Sequence, residues 1–160
     1  MDNSDDDLRK ILIQTKVIAL VGWSPNPDRP SHRVAAYLAA RGYRVIPVNP
    51  GQAGKVANGE VVRASLSDIT DPIDMVDIFR NSEAAGPLCD EAIEIGAKSV
   101  WMQEEVVHEE AADRARSAGL DVVMDRCVKI EHGRLFGGLN YAGVNTKVIS
   151  ARRPNVDPAR

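Results

Sequence analysis

Short apolar runs alternate with amphipathic segments along most of this chain. Val17–Val21 is a continuous apolar run, of a length that suits a buried parallel strand, and Gly22 ends it. Tyr43–Val48, Ile73–Phe79, Ser99–Met102 and Asp121–Met124 read as further strands, the second of them alternating apolar residues with Asp74 and Asp77. Glu60–Arg63 reads as a minor strand. Between these runs the spacing turns helical. Val34, Ala35, Leu38 and Ala39 share one side of a helix over Ser31–Arg41, and an alanine-rich helix covers Val107–Ala118. Another runs to Ile95 from a start at Ser82 or at Gly86-Pro87. A leading helix over Asp5–Gln14 has its acids first and Arg9 and Lys10 later, as the helix dipole favours. Gly42, Gly96 and Gly119 each close a helix and return the chain directly to a strand.

Strands alternating with helices of about 10–12 residues imply right-handed crossovers and a mostly parallel sheet, the α/β class. The 160 residues suit one such domain. The expected layout is an N-terminal helix over 1–15, the α/β domain over 16–137, and an extension over 138–160 that is loosely ordered from Ser150 onward.

One stretch organises the reading. Lys16 to Val34 runs from strand through a polar, proline-rich loop into a helix start near Ser31. In a doubly wound domain that corner binds phosphate, because the helix start offers free N–H groups and the positive end of its dipole. The net charge of −3 argues against a general nucleic-acid binder. Its distribution is uneven, however. Ser24–Arg63 holds six basic residues against two acids, whereas Ala64–Glu131 holds sixteen acids against six bases. A basic edge on an acidic protein suits a small anionic ligand, and equally a solvated face. Cys89 and Cys127, without a C-x-x-C, point to neither a disulfide scaffold nor a zinc site, and a reducing cytoplasm follows. The acidic N-terminus is wrong for a signal peptide, and no apolar run reaches membrane-spanning length.

The loop departs from a dinucleotide fingerprint. Gly22 is followed by Trp23, Ser24, Pro25, Asn26, Pro27, Asp28, Arg29 and Pro30. The second glycine that brings backbone onto a pyrophosphate is missing, and three prolines stiffen the loop instead. Ser24 and Asn26 offer a hydroxyl and an amide. NAD sites also place an acid after the second strand to hold the ribose, and here Val48-Asn49-Pro50 has none. NAD is disfavoured. A ligand with an additional phosphate stays open, with Arg33, Arg44 and Lys55 near in sequence.

V-G-W-S-P-N-P-D-R-P-S-H-R-V, G-Y-R-V-I-P-V-N-P-G, P-I-D-M-V-D-I-F-R and V-V-M-D-R-C occur in this order. Together they resemble the small stand-alone CoA-binding proteins, which are similar to the N-terminal CoA-binding domain of the succinyl-CoA synthetase alpha subunit. The resemblance covers about Leu8 to Phe136. It implies a single Rossmann-like three-layer domain, with coenzyme A lying across the carboxyl ends of the strands. By motif position, Gly22, Trp23, Ser24, Pro25, Asn26 and Pro27 surround the diphosphate. Asn49, Pro50 and the loop after them take the adenosine side, Phe79 and Arg80 flank the nucleotide, and Met102 and Gln103 border the pantetheine arm. Where the synthetase has a lysine in its P-G-K-G-G turn, this chain has Gln52, with Lys55 or Arg33 available in its place. The synthetase's phosphorylated histidine belongs to a second domain. What the resemblance implies here is therefore a protein that binds CoA or an acyl-CoA without catalysis, with a protein partner or a homo-oligomer open. An NADP-dependent reductase, or the nucleotide-binding half of a split acyl-CoA ligase, is the alternative.

Several residues have a second reading. Cys127 follows Asp125-Arg126 at the ligand-binding edge, where its thiol either meets the pantetheine sulfur as a mixed disulfide or lies inert. Arg33 either clamps a phosphate or is a solvated helix residue. Arg80, directly after a strand, is the better candidate for the crevice. Trp23 either shields the ligand or packs beneath the loop, and packing is preferred. Asp74 and Asp77, three apart in a strand, point to opposite faces and form no acid/base pair. His32, His108 and His132 fit no catalytic triad order.

Overall fold

A computed structural model describes residues 3–137. The expected C-terminal extension lies outside the described residues. The elements are α1 (Asp5–Gln14), β1 (Val17–Val21), α2 (Pro30–Ala40), β2 (Arg44–Val48), β3 (Val56–Ala57), β4 (Glu60–Val61), β5 (Met75–Ile78), α3 (Ser82–Glu94), β6 (Ser99–Met102), α4 (Glu109–Ser117), β7 (Asp121–Val123) and α5 (Val128–Phe136). The central sheet has the order β2-β1-β5-β6-β7, with every pair parallel. It is the α/β, Rossmann-like sheet expected, in three layers.

Strand alternation divides the core in two. Leu20, aligned with Asp77 and Trp101 across the sheet, faces α1, α2 and α5 with Leu8, Val34, Leu38 and Phe136. Val21, Ile78, Val100 and Val122 face α3 and α4 with Ala85, Cys89 and Ala111. Small residues on α3 and α4 let that layer lie close to the sheet, which is how a chain with few aromatics fills its interior.

The crossover from β2 to β5 contains no α-helix. The β3–β4 hairpin and two 3-10 turns, at Pro50–Gln52 and Leu66–Asp68, replace it, and Leu66, Ile69 and Ile73 close the core there. The expected strand at Glu60–Arg63 is divided. Glu60 and Val61 pair antiparallel with Ala57 and Val56, while Arg63 alone touches the central sheet, as a parallel bridge to Val48. Asp74 precedes β5, where its carboxylate accepts the backbone N–H groups of Lys16 and Val17, each at 2.9 Å. Asp77 is fully buried with no partner for either carboxylate oxygen among the described residues, and burial holds its carboxyl well above the usual range.

Helix α3 starts at Ser82, not at Gly86-Pro87. Asn81 caps it, its side-chain oxygen accepting from the N–H of Ala84 at 2.8 Å. Helix α5 went unread in the sequence, because Glu131 and His132 sit on its buried face and Gly133 interrupts its apolar pattern. His132 is held there by the hydroxyl of Tyr37, 2.9 Å from Nδ1.

Candidate functional site

Strand order places the site. Beyond β1 the chain goes out to β2, then crosses to β5 on the other side, so the loops after β1 and β5 diverge and leave a crevice at their carboxyl ends. Gly22 lies at the head of that crevice with φ +94°, a left-handed backbone that suits glycine. A β-carbon there would collide with the carbonyl oxygen of Phe79 and lie 2.9 Å from its carbonyl carbon. Glycine therefore allows the two strand ends to meet.

The loop after Gly22 is shaped by its own polar groups. The N–H groups of Gly22 and Trp23 both donate to the carbonyl of Val48, at 2.9 and 3.3 Å. Ser24 Oγ accepts the N–H of Asn26 at 3.1 Å, and Asn26 Oδ1 accepts that of Asp28 at 2.9 Å. His32 Nδ1 donates to the carbonyl of Ser24 at 3.0 Å. Ser24 and Asn26 thus hold the loop in shape through their oxygens, while the Ser24 hydroxyl proton and Asn26 Nδ2 meet no acceptor among the described residues and remain the donors expected. Pro25 and Pro27 are exposed on it. Trp23 is 3 % exposed and packs beneath the loop, its ring 5.9 Å from that of His32, so the packing reading of this residue holds. Helix α2 begins with Pro30 and no side-chain cap, and the N–H of Ser31 meets no described acceptor. That N–H and the Ser31 hydroxyl are the donors this helix start has to offer. Arg33 turns back, donating to the carbonyls of Asp28 and Pro27 at 2.7 and 3.4 Å.

At the end of β2, Asn49 is committed internally. Its Nδ2 donates to the carbonyl of Trp23 at 2.7 Å and its Oδ1 accepts the N–H of Gly51 at 2.9 Å. Pro50 and Gln52 then form a 3-10 turn, and Lys55 is exposed beyond it.

On the other side of the crevice is a cleft of about 1060 Å³, lined by Pro30, Phe79, Arg80, Gln103, Val106 and Cys127, among others. Four residues singled out in the sequence, Phe79, Arg80, Gln103 and Cys127, are brought together there from β5, β6 and β7. Met102 is not among them. It is fully buried in the core, because strand alternation turns it away from the edge and leaves Gln103 as the residue at the cleft.

Charge is graded along this edge. Arg29, Lys55 and Arg80 are exposed and take no partner among the described residues, and they lie on the β2, β1 and β5 side. Glu104, Glu105 and Asp125 form the β6 and β7 rim of the cleft. Arg44 and Arg63, by contrast, are bound to Glu60, with Arg44 also reaching Asp71 at 2.6 Å. The acidic rim is built under strain. Glu105 and Asp125 both have left-handed backbones, at φ 69° and 59°, and Asp125 Oδ1 accepts the N–H of Glu105 at 2.6 Å.

Ser31, Asn81, Val106 and Asp125 were missed by sequence reasoning. The first two carry a readable signal, as a serine behind an N1 proline and an Asn before a helix. The others reach the cleft through loop conformations that no local pattern encodes. His108, which matched no triad, caps α4 by accepting the N–H of Ala111 at 3.1 Å. Among the described residues, no group of His, Cys, Asp or Glu is arranged for a metal, and no helix is long and apolar enough to cross a membrane.

Comparison with known proteins agrees with the fold. The CoA binding domain family matches residues 16–133. An uncharacterized protein of Bacillus subtilis, YneT, is 40% identical over 129 residues, spanning 81% of this chain and 94% of that protein. A solved structure from Thermus thermophilus, of cell-free ID.343, is 41% identical with a TM-score of 0.79, over 84% of this chain and all of that one. A dinucleotide-forming acetyl-coenzyme A synthetase of Ca. Korarchaeum cryptofilum, solved with phosphate and ADP, is 25% identical. Its TM-score is 0.60, over 72% of this chain and 27% of the synthetase.

Proposed function

This chain belongs to the CoA binding domain family, and on that premise we propose that it holds coenzyme A, free or acylated, along the carboxyl edge of its sheet. The observation that carries the reading is the gradient of charge along that edge. Free cations stand at the glycine corner and its flanks, whereas an acidic rim and the carboxamide of Gln103 stand at the other end. A ligand with its phosphates at one end and a long neutral arm at the other matches that polarity. The five strand ends span about 19 Å at ~4.8 Å per strand spacing, which suits an elongated ligand. Adenosine then lies toward Asn49 and Lys55, the diphosphate at Gly22–Pro27 and Ser31, and the pantetheine arm runs past Phe79 and Gln103 toward Cys127. Arg80 contacts phosphate, and Arg33 and Asn49 position the loops that do so.

The role is one of holding and delivering. The described residues that line the cleft include no nucleophile paired with a base, which favours retention of the ligand over turnover. Two free thiols, Cys89 and Cys127, suit a reducing cytoplasm.

The test is a thermal-shift panel of CoA, acetyl-CoA, dephospho-CoA, NAD, NADP and ATP. A ligand at about 100 times its dissociation constant adds about 2.7 kcal/mol of stability. CoA compounds are expected to give the largest shifts, with dephospho-CoA weaker. A response to NADP alone overturns the reading in favour of a reductase. Likeness to one portion of the Korarchaeum synthetase favours a second reading, the nucleotide-binding part of an acyl-CoA ligase that works with another chain. ATP-dependent formation of a CoA thioester, seen only when a candidate partner chain is added, decides for it.

A further inference from the structure

Cys127 stands where the proposed pantetheine arm ends. It follows β7 at the carboxyl edge, occupies the N-cap of α5, and is half-buried. It lines the large cleft and also a second one of about 440 Å³, walled by Met124, Arg126 and Ile130. The thiol thus sits at the junction of two cavities.

An independent feature marks the same spot as a ligand site. Gln103 is 5 % exposed and lines the large cleft. Its Oε1 accepts the N–H of Val128, the residue after Cys127, at 3.2 Å. A backbone N–H can only donate, so this bond fixes which end of the carboxamide faces α5. Nε2 is left with no acceptor among the described residues. The side chain is otherwise buried, so the cleft is where Nε2 finds its acceptor, and a carbonyl lying there would complete its bonding. The pantetheine arm, with its amide carbonyls, is of the right chemistry to do so.

We propose that Cys127 is a covalent attachment site for coenzyme A, which it takes up as a mixed disulfide. The inference rests on the reading that CoA lies in the cleft with its thiol end toward β7. The co-reactant is the symmetrical disulfide of CoA. The sulfur of Cys127, as thiolate, attacks one sulfur of that disulfide. A bond forms between Cys127 and one CoA sulfur while the bond between the two CoA sulfurs breaks. The second CoA leaves as a thiolate and takes up the proton that Cys127 gave up. No other oxidant is needed, and a small thiol reverses the step. Gln103 positions the arm through Nε2. Cys89 is the internal contrast, because it is fully buried in α3 and burial pushes its thiol up to about 11.

The experiment is intact-mass analysis of the full chain after exposure to CoA disulfide, with peptide mapping of the adduct. Binding of reduced CoA to the wild type is measured alongside by calorimetry. One CoA per chain is expected, mapped to Cys127, released by dithiothreitol and missing from Cys127→Ser. It should form at least ~10-fold faster than the adduct with glutathione disulfide at equal concentration, since prior binding raises the effective concentration of the reacting sulfur. Equal rates with the two disulfides overturn the proposal, because they describe an ordinary accessible thiol. An adduct mapped to Cys89 overturns it as well. No adduct, with reduced CoA still bound, overturns the covalent site and leaves the binding reading standing. No adduct and no binding of reduced CoA removes both.

Discussion

Asn49 and Trp23, 26 residues apart, are joined by a hydrogen bond of 2.7 Å from the side-chain amide to the backbone carbonyl. The same side chain accepts from Gly51 at 2.9 Å, so a single carboxamide fixes the loop after β1 against the loop after β2. Asn49→Ala removes both bonds and is expected to cost about 1–3 kcal/mol of stability. Asn49→Asp keeps the acceptor but sets a carboxylate against the Trp23 carbonyl, and it should be no better tolerated. Both variants should bind CoA more weakly, because the corner they fix is the one proposed to take the diphosphate. Urea denaturation and calorimetry check the two effects separately.

Gly22→Ala tests the meeting of β1 and β5. The left-handed backbone alone costs a residue with a β-carbon about 1–2 kcal/mol. The collision with the Phe79 carbonyl adds to that, because backbone on both sides has little room to move. Unfolding midpoints should fall accordingly. A midpoint unchanged from the wild type would show that the strand ends separate easily.

Arg80 carries the opposite expectation. Its guanidinium is exposed and makes no bond among the described residues, so Arg80→Ala should leave stability within about 0.5 kcal/mol of the wild type. Its effect belongs to the ligand. A lost charge-assisted hydrogen bond of about 1.5–3 kcal/mol corresponds to roughly 10- to 150-fold weaker CoA binding. The wild-type affinity should also fall with salt more steeply than that of the variant.

Asp77 gives a pH signature. Burial raises its carboxyl above the ordinary value of 3.8 that it regains on unfolding. Below that value the acid is protonated in both states and costs the fold nothing through titration. Above it the unfolded chain gives up a proton that the folded chain keeps. Stability then falls by about 1.4 kcal/mol per pH unit until the folded value is passed. Asp77→Asn cannot titrate. Its stability relative to the wild type should therefore rise between pH 4 and pH 7, whatever constant offset the amide brings. Urea melts at pH 4, 5.5 and 7 measure the difference, and a gap that stays constant with pH would show that Asp77 does not titrate on unfolding in this range.

Periodicity made most of the architecture legible. Val17–Val21 and Ser31–Arg41 announced the strand and helix around the corner, and the glycines at 42, 96 and 119 marked the returns to the sheet. Helix α5 was hidden because its buried face carries Glu131 and His132, which binary patterning assigns to solvent. Arg63 was misjudged for a related reason: a one-residue bridge has no period to detect. Phe79, Arg80, Gln103 and Cys127 do come together at one cleft; motif position pointed to Phe79 and Gln103, and strand ends read from runs of apolar residues pointed to Arg80 and Cys127. Met102 shows the limit of that approach. One step along a strand reverses the face, so a strand end known only to within a residue cannot say which side chain meets the cleft. Ser24, Asn26 and Asn49 lie in the loops after β1 and β2 as spacing implied, but their bonding to neighbouring backbone is a matter of loop conformation, which spacing does not specify.

The corner loop, with its hydroxyl, amide and imidazole groups already bonded to its own chain, has a further consequence. It needs no guest to take its shape, so little ordering entropy stands against association at that end. In the proposed placement of CoA, recognition of the nucleotide portion is then constant, whatever hangs from the sulfur at the far end. A rigid handle-holder of this kind would accept a range of acyl cargoes and leave any discrimination among them to the walls around Met124 and Ile130.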